Sequence, residues 1–325
     1  MYKLDLKDRK ILYELDLNCR QSNTQIGKKV GLKKDVVNYR IKKMEEDKVI
    51  KGYFTAIDTF KLGFNVYRIY LNFQDISVEE KKEIIKEFVD YKNSWAVYSI
   101  TGPIDLGVVS WVNNIYEFYN FLNKILDNHG KYIAEKNLSI HVGGEEYEKS
   151  YLLPTDYQNK NRVKFTLKCT GEKVEIDELD YNLLNMLVEN ARMPLIDLAD
   201  KVKTTSQTVQ YRLKNLIKME LITGFRVNVD ESILGLQYFD VRINLTDHSF
   251  RKKLIEYLSN TPYLKCINNS FGYADLELEL ILENMDRLIE TMDGLQEKFP
   301  RVIRNYHLLK TKETFKERWL PKMLK

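Results

Sequence analysis

The sequence predicts an α+β protein in which one two-domain module occurs twice. Residues 8–73 recur at 180–245 with a constant offset of 172 and without gaps. Identical pairs at this offset include Asn18/Asn190, Arg20/Arg192 and Tyr39/Tyr211. Within each copy, apolar residues at helical spacing are followed by alternating, strand-like spacing in the same order. Because this period is much longer than the roughly 20–50 residues of a solenoid repeat, whole domains have been duplicated.

Length and composition agree with a globular protein of several domains. The chain has 325 residues, of which 44% are apolar and 30% are charged. It contains no run of 18 apolar residues, and residues 1–5 do not resemble the apolar core of a signal peptide. We therefore expect a cytoplasmic protein with no membrane partner.

The residues that commonly carry enzyme chemistry are few and far apart. Cys19, Cys169 and Cys266 lack the spacing of a zinc site or a disulfide framework, and the four histidines show no metal-ligand spacing. The sequence has no Gly-rich phosphate loop and no H-E-x-x-H motif. We therefore expect no cofactor, no metal ion and no catalytic residue.

Three short helices are predicted at the start of each copy. The first covers 8–17, with Asp8 as its N-cap. Ser22 and Gln25 have the spacing of a capping box for the second helix. The third begins near Lys34, and apolar residues recur along it at i, i+4 and i+7. In the second copy, residues 204–206 offer hydroxyl groups that can cap the third helix.

Two short helices joined by a tight turn, after a leading helix, are typical of a helix-turn-helix. Residues 49–57 and 221–229 follow as predicted strands, which favours the winged form. The third helix then occupies the position that contacts DNA. Its outer face carries Lys33, Lys34, Asn38, Tyr39, Arg40, Lys42 and Lys43 in the first copy, and Ser206, Gln207, Gln210, Tyr211, Arg212 and Lys214 in the second.

These side chains suit double-stranded DNA. Lysine and arginine neutralise phosphates, and asparagine and glutamine can bind adenine edges in the major groove. The alternative is an ordinary solvated helix face. Residues 1–52 contain 14 basic and 8 acidic residues, whereas residues 173–224 contain 7 basic and 8 acidic residues. Because phosphate neutralisation supplies most non-specific affinity, we expect the first unit to bind DNA more strongly.

In the rest of each module, the order of strand-like and helix-like patterns predicts a ferredoxin-like βαββαβ sandwich. The predicted elements are 66–73, 77–91, 95–100, 106–111, 115–126 and 136–142, and then 238–245, 250–260, 264–269, 275–281, 285–299 and 302–309. The predicted domains are a winged helix-turn-helix at 1–60, a ferredoxin-like domain at 61–153, a linker at 154–172, a second winged helix-turn-helix at 173–232 and a second ferredoxin-like domain at 233–325.

The chain resembles two fused members of the Lrp/AsnC family, the leucine-responsive or "feast/famine" transcription regulators. The resemblance is carried by Leu4-Asp5-x-x-Asp8-x-x-Ile11-Leu12, Asn18-x-Arg20, Val30-Gly31-Leu32 and Leu62-Gly63, and by Asp177-x-x-Asp180, Leu183-Leu184, Asn190-x-Arg192 and Leu234-Gly235. It covers nearly the whole chain outside the linker. The family usually starts its recognition helix with Leu-Ser, whereas Lys33 stands in place of that serine here.

The resemblance implies a DNA-binding domain followed by a ligand-responsive, dimerising domain. The family's Gly-x-x-Asp turn, near which small effectors bind, corresponds to Gly102/Asp105 and Gly272/Asp275. These four residues are therefore candidate effector ligands, and an amino acid is the expected effector. The alternative is purely structural, because a glycine permits positive φ and an aspartate caps a turn. We also expect the two modules to form an intrachain pseudo-dimer, which can pair further into homo-oligomers.

The predicted function is that of a sequence-specific, DNA-binding transcription regulator controlled by a small effector. Two alternatives stay open. Sirohaem decarboxylases resemble this family in architecture, so an enzyme acting on a tetrapyrrole is one of them. A sensor or interaction module that does not bind DNA is the other.

Overall fold

The computed structural model describes residues 4–158 and 161–321. Among these residues, no helix combines the length and the apolar character needed to cross a bilayer. The helices are α1 (Leu6–Leu17), α2 (Asn23–Val30), α3 (Lys34–Glu46), α4 (Val78–Asp90), α5 (Ile115–His129), α6 (Glu178–Glu189), α7 (Leu195–Lys201), α8 (Ser206–Lys218), α9 (Arg251–Ser259) and α10 (Met285–Lys298).

The strands follow the predicted order and include one inside the expected linker. They are β1 (Ile50–Ile57), β2 (Asn65–Phe73), β3 (Ser94–Thr101), β4 (Leu106–Val112), β5 (Ile133–Tyr147), β6 (Lys164–Lys168), β7 (Ile222–Val229), β8 (Gln237–Leu245), β9 (Leu264–Gly272), β10 (Leu276–Leu282) and β11 (Ile303–Glu317). The fold is α+β, with two winged helix-turn-helix regions and two ferredoxin-like domains.

The capping predictions are confirmed with one correction. Ser22 and Gln25 form the expected capping box at the start of α2, and the Thr205 side chain caps α8. The prediction that Asp8 is the N-cap of α1 was wrong. The helix begins after Asp5, whose side chain accepts a hydrogen bond from the Asp8 backbone, while the Asp8 side chain reaches back to the Asp5 backbone. The two aspartates thus form the capping box together.

The two helix-turn-helix units share one apolar core and one antiparallel ribbon, formed by β1 and β7. Tyr53 lies opposite Val227, and Thr55 lies opposite Phe225. Since Tyr53 corresponds to Phe225 and Thr55 to Val227 at the repeat offset, an approximate two-fold axis passes between these pairs. The strand after each helix-turn-helix therefore joins it to the other copy.

The two ferredoxin-like domains close into a single barrel. The sheet order is β2-β4-β3-β11-β8-β10-β9-β5-β6, and β5 also pairs with β2, which completes a ring of eight strands. The joints between modules are β5 with β9 and β3 with β11. Both β5 and β11 are longer than predicted, because their C-terminal halves pair with the other module, which a single module's pattern cannot show. The expected intrachain pairing of the modules is present.

The segment between the modules is part of this architecture. Within the span predicted as a linker, β6 pairs with residues 143–147 of β5. The ring of Phe165 on β6 lies where a β-carbon on Gly224 would approach it to 2.5 Å. The absence of a side chain at Gly224 thus lets β6 pack against the ribbon between the two helix-turn-helix units.

Candidate DNA-binding surface and ligand cavity

The recognition helices α3 and α8 present the predicted polar faces to solvent. Lys33, Lys34, Asn38, Tyr39, Lys42 and Lys43 are exposed in the first copy, as are Gln207, Gln210, Tyr211 and Lys214 in the second, while Ser206 is half-buried. Val37, Ile41 and Met44 anchor the opposite face of α3 in the core. Tyr39 and Tyr211 are 65% and 63% exposed at equivalent positions. Each helix therefore offers an aromatic side chain amid hydrogen-bonding groups.

Arg40 and Arg212 differ from the other predicted contacts because each is already paired. Arg40 Nη1 lies 2.7 Å from both Asp5 and Asp8. Arg212 Nη1 lies 2.7 Å from Asp177 and 3.2 Å from Asp180. These ion pairs fasten the recognition helix to the first helix of its own module. DNA contact by these two arginines remains a prediction. A phosphate bound by either arginine would share its guanidinium group with the paired aspartates.

Equivalent contacts hold the two units in a fixed relation. The Cys19 backbone N–H donates to the Phe225 carbonyl at 2.8 Å, and the Ala191 N–H donates to the Tyr53 carbonyl at 3.0 Å. Arg20 extends into the other unit and donates to the carbonyl of Ala191 at 2.7 Å. Its counterpart Arg192 donates to the Asn23 side chain at 2.5 Å. The pair of recognition helices is thus positioned as one body.

The two copies differ at the residues that lie on the approximate two-fold axis of the β1–β7 ribbon. Phe54 lies opposite Arg226, and these two residues occupy equivalent positions in the two copies. Arg226 is fully buried and donates to Asp16 at 2.7 Å and 3.1 Å. A second carboxylate, Glu146, lies 2.8 Å from Arg226 Nη1. Phe54 instead stacks on Trp319, with 5.4 Å between ring centroids.

The Gly-x-x-Asp turns lie at the joints of the barrel. Gly102 and Gly272 have φ of 136° and 116°, which favours glycine. A β-carbon on Gly272 would lie 2.3 Å from the Leu138 carbonyl of the neighbouring strand. Asp105 accepts from the Phe73 backbone N–H at 2.9 Å, and Asp275 accepts from the Leu245 N–H at 2.7 Å. Each residue thus has a structural contact, and effector binding there remains a prediction.

A cavity of about 460 Å³ opens inside the barrel, between its walls and the β1–β7 ribbon. Its volume is in the range of pockets that hold small organic ligands. The Gly-x-x-Asp turns do not line it. The ribbon contributes Phe54, Ala56 and Thr223 to the lining, so the cavity contacts the strands that join the DNA-binding units.

One wall of the cavity is aromatic. All three tryptophans of the chain, Trp95, Trp111 and Trp319, line it. The rings of Trp95 and Trp111 are stacked at 5.2 Å with an angle of 4°, and Trp319 meets Trp95 edge-on at 6.1 Å. Trp111 is held in place by its indole N–H, which donates to Thr59 at 3.1 Å.

The other wall is charged, and one of its ion pairs joins the two modules. Arg68 of the first module pairs with Glu277 of the second. Burial alone would raise the pKa of Glu277, but Arg242 and Arg68 lower it to about 2. Arg242 also pairs with Asp240, where burial outweighs the nearby arginines and raises the pKa to about 7. Lys265 and Glu279 form a further pair at 3.1 Å.

His141 stands apart from this network. It is 7% exposed, and its Nδ1 has no hydrogen-bond partner within the described part of the chain. Burial, reinforced by Arg68, lowers its pKa to about 4, so the ring is neutral near pH 7. The Nε atom of Arg68 is buried and likewise has no partner among the described residues. Two polar atoms in one corner of the cavity therefore lack partners.

The sequence prediction did not identify this cavity. The available signal was charged or hydroxyl-bearing side chains at alternate positions inside mainly apolar strands: Arg68 and Tyr70, Asp240 and Arg242, and Glu277 and Glu279. Side chains two apart on a strand share a face, so each pair points to one side of the sheet. Among the described residues, no group of three or more His, Cys, Asp or Glu side chains is arranged to hold a metal ion.

Comparison with known proteins places a winged helix-turn-helix DNA-binding family model on residues 4–51 and 176–223. An uncharacterised HTH-type transcriptional regulator of Pyrococcus furiosus is 31% identical over 137 residues, which cover 42% of this chain and 88% of that protein. The HTH-type transcriptional regulator Ptr1 of Methanocaldococcus jannaschii is 31% identical over 134 residues, covering 41% of this chain and 81% of Ptr1. Each relative thus matches about one module.

Among solved structures, the siroheme decarboxylase NirDL is similar over both modules. The TM-score is 0.63 at 11% sequence identity, and the match covers 96% of this chain and 92% of NirDL. At this level of identity the likeness concerns the fold, and it extends to the paired arrangement of the modules.

Proposed function

The chain belongs to the Lrp/AsnC family of helix-turn-helix transcription regulators, as two modules in tandem, and on that premise we propose that it binds one specific duplex site with both recognition helices and responds to a small effector. The observation that carries the proposal is the β1–β7 ribbon. It holds two exposed, hydrogen-bonding helix faces in one fixed relation. Symmetric pairs of such helices match paired half-sites on DNA.

The test is selection of DNA by the intact chain. Genomic fragments captured by purified protein are sequenced, and an enriched fragment is then footprinted. The expected result is one motif with two unlike halves, protected together. A matched variant, Tyr39→Ala with Tyr211→Ala, removes the exposed aromatic rings without touching the core, and selectivity should fall. Fragments captured at random, with no shared motif, would contradict the proposal.

The effector class that the family favours is an amino acid, bound near Gly102/Asp105 or Gly272/Asp275. Calorimetry against the twenty amino acids tests this, with Asp105→Asn and Asp275→Asn as variants. Asparagine keeps an oxygen for the backbone N–H donated by Phe73 or Leu245 but removes the charge that attracts an ammonium group. Binding that the variants do not weaken would exclude these turns.

A second candidate is a tetrapyrrole enzyme similar to sirohaem decarboxylase. The observation in its favour is the fold likeness to NirDL across 96% of the chain, together with a cavity that holds Arg68 and His141. Adding sirohaem to the purified protein tests it. An absorbance change with release of carbon dioxide would support the enzyme. An unchanged spectrum would exclude it and leave the transcription regulator as the remaining candidate function.

A further inference from the structure

We propose that the barrel cavity binds a small, flat aromatic acid, with its ring against the tryptophans and its carboxylate at Arg68 and His141. The proposal names a second effector class, at a site separate from the Gly-x-x-Asp turns. Only its link to DNA rests on the proposed function.

The aromatic wall selects for a flat ring. Trp95 and Trp111 lie parallel, and Trp319 closes the wall edge-on. Aromatic pairs in offset-stacked or edge-to-face arrangements are stabilised beyond the burial of their area, a gain that an aliphatic ligand does not have. Phe54, stacked on Trp319, extends this surface onto the ribbon. A planar ligand ring can therefore contact several of these rings at once.

The corner of the cavity formed by Arg68 and His141 favours a ligand group that accepts hydrogen bonds. His141 lies opposite Val66, and Arg68 lies opposite Ser139, so the two side chains are diagonal neighbours on paired strands. Arg68 Nε and His141 Nδ1 are both buried, and neither has a hydrogen-bond partner within residues 4–158 and 161–321. A carboxylate has two oxygens that accept hydrogen bonds, and an arginine N–H is a strong donor to it.

Most charged groups in and behind the cavity wall are already paired with each other. Arg68, Arg242 and Lys265 balance Asp240, Glu277 and Glu279, and each of these groups is already in an ion pair. Two further carboxylates line the cavity: Glu146, which pairs with Arg226 at 2.8 Å, and Glu317, whose pKa is raised by burial. An anionic ligand meets the remaining N–H of Arg68.

Contact with the ribbon gives the ligand a way to affect DNA binding. Phe54 and Ala56 on β1 and Thr223 on β7 line the cavity. The same strands fix the relation between α3 and α8. A ligand shifts such an arrangement only by its different affinity for two states, so the expected readout is a change in DNA affinity when the cavity is filled.

The probe is 4-nitrobenzoate, which quenches tryptophan fluorescence on contact. Because all three tryptophans line the cavity, quenching reports on this site alone. The expected result is saturable quenching by 4-nitrobenzoate. Two matched compounds, 4-nitrobenzyl alcohol without the carboxylate and cyclohexanecarboxylate without the flat ring, should bind at least tenfold more weakly by calorimetry. Equal binding of all three, or no saturable binding of 4-nitrobenzoate, would overturn the proposal.

The decisive variant is His141→Phe, which keeps a ring beside Phe60, its stacking partner at 5.9 Å. It should weaken 4-nitrobenzoate at least tenfold and leave 4-nitrobenzyl alcohol unchanged. His129→Phe, at the end of α5 and outside the cavity lining, is the control and should bind both compounds as the natural protein does. Should His141→Phe fail to fold, Trp95→Leu replaces it and should weaken both nitro compounds. Unchanged affinities in the folded variant would refute the site.

The DNA measurement separates the two proposals. Saturating 4-nitrobenzoate should change the affinity for the captured DNA several-fold, and His141→Phe should abolish this change. If the protein selects DNA but 4-nitrobenzoate never binds, the cavity proposal fails and the regulator stands. If 4-nitrobenzoate binds and no DNA is selected, the cavity stands and the regulator fails.

Discussion

The two modules fold alike but fill equivalent positions with different chemistry. In the first module, Arg68 lies opposite Val109, and Tyr70 lies opposite Gly107. The same places in the second module hold Asp240 opposite Glu279, and Arg242 opposite Glu277. One module thus supplies most of the aromatic wall of the cavity, while the other supplies most of its charges.

The axis of the ribbon shows why a fused chain can differ from a dimer of identical subunits. In a symmetric dimer, a residue on the two-fold axis meets its own copy. Two buried arginines there would repel each other, and each would need its own carboxylate. In the fused chain, Phe54 lies opposite Arg226 instead. The single buried arginine is paired with Asp16, and the phenyl ring of Phe54 lines the cavity. Duplication preserved the framework, and the loss of symmetry produced the site.

The largest expected difference between the modules is in DNA affinity. Replacing Lys33, Lys34, Lys42 and Lys43 by alanine should flatten the salt dependence by up to roughly 0.9 in log–log slope per contact and weaken binding on the order of a thousandfold. The equivalent residues of the second copy are Thr205, Ser206, Lys214 and Asn215, of which one is charged. Replacing Arg212 and Lys214 by alanine should therefore cost much less. Equal losses in a salt titration would show that the charge asymmetry does not matter.

The next prediction concerns the charge at the axis. Asp16→Ala should lower the free energy of unfolding by about 3 kcal/mol, because Arg226 would lose the fully buried one of its two carboxylate partners. Val188 occupies the equivalent position in the second module, and Val188→Ala is the matched control, with an expected loss of about 1 kcal/mol. Urea denaturation measures both. Similar losses of stability in the two variants would mean that the buried ion pair of Asp16 and Arg226 contributes no more than ordinary apolar packing.

His141 and Thr311 make a third comparison, through pH. They are counterparts, because His141 lies opposite Ser270 and Thr311 lies opposite Ile100, and these two partners each stand two residues before the glycine of a Gly-x-x-Asp turn. The folded pKa of His141, about 4, lies below the ordinary value of 6.5, so its contribution to stability is present above pH 6.5 and is lost as the pH falls towards 4. In His141→Phe this loss, up to about 3 kcal/mol, should be absent. The raised pKa of Asp240 acts in the opposite direction but is common to both proteins.

Thermal unfolding from pH 7 to pH 4 measures this effect. The natural protein should lose stability more steeply than His141→Phe over the acid half of the range. Thr311→Val changes the equivalent strand position without a titrating group, so its pH profile should run parallel to that of the natural protein. Parallel profiles in all three proteins would show that His141 does not titrate in this range.

The smallest expected effect is one in which the modules should agree. Arg40→Gln and Arg212→Gln each break an ion pair between the recognition helix and the first helix of the module. Since these arginines are partly exposed, each change should cost about 1 kcal/mol or less. Urea midpoints compare the two directly. A much larger loss of stability in one variant would mean that the equivalent ion pairs of Arg40 and Arg212 differ in their contribution to stability.

The sequence was sufficient to predict each module but not the closure of the barrel. The repeat and the alternating patterns predicted the order of helices and strands to within a few residues. The extension of β5 to Tyr147 and of β11 to Glu317 depends on partners in the other module, which no local pattern contains. The cavity was missed for the same reason: Arg68 and Glu277 are 209 residues apart in the chain and meet only when both domains close.

The β1–β7 ribbon joins two unlike recognition faces, one rich in lysine and one rich in glutamine and hydroxyl groups. A palindromic operator looks the same from either end, so a symmetric dimer can bind it in two indistinguishable ways. This chain has no such freedom, because turning it around exchanges α3 with α8. A site bound by both helices, as proposed above, therefore differs at its two ends, and the bound protein would have a single orientation relative to any neighbouring gene.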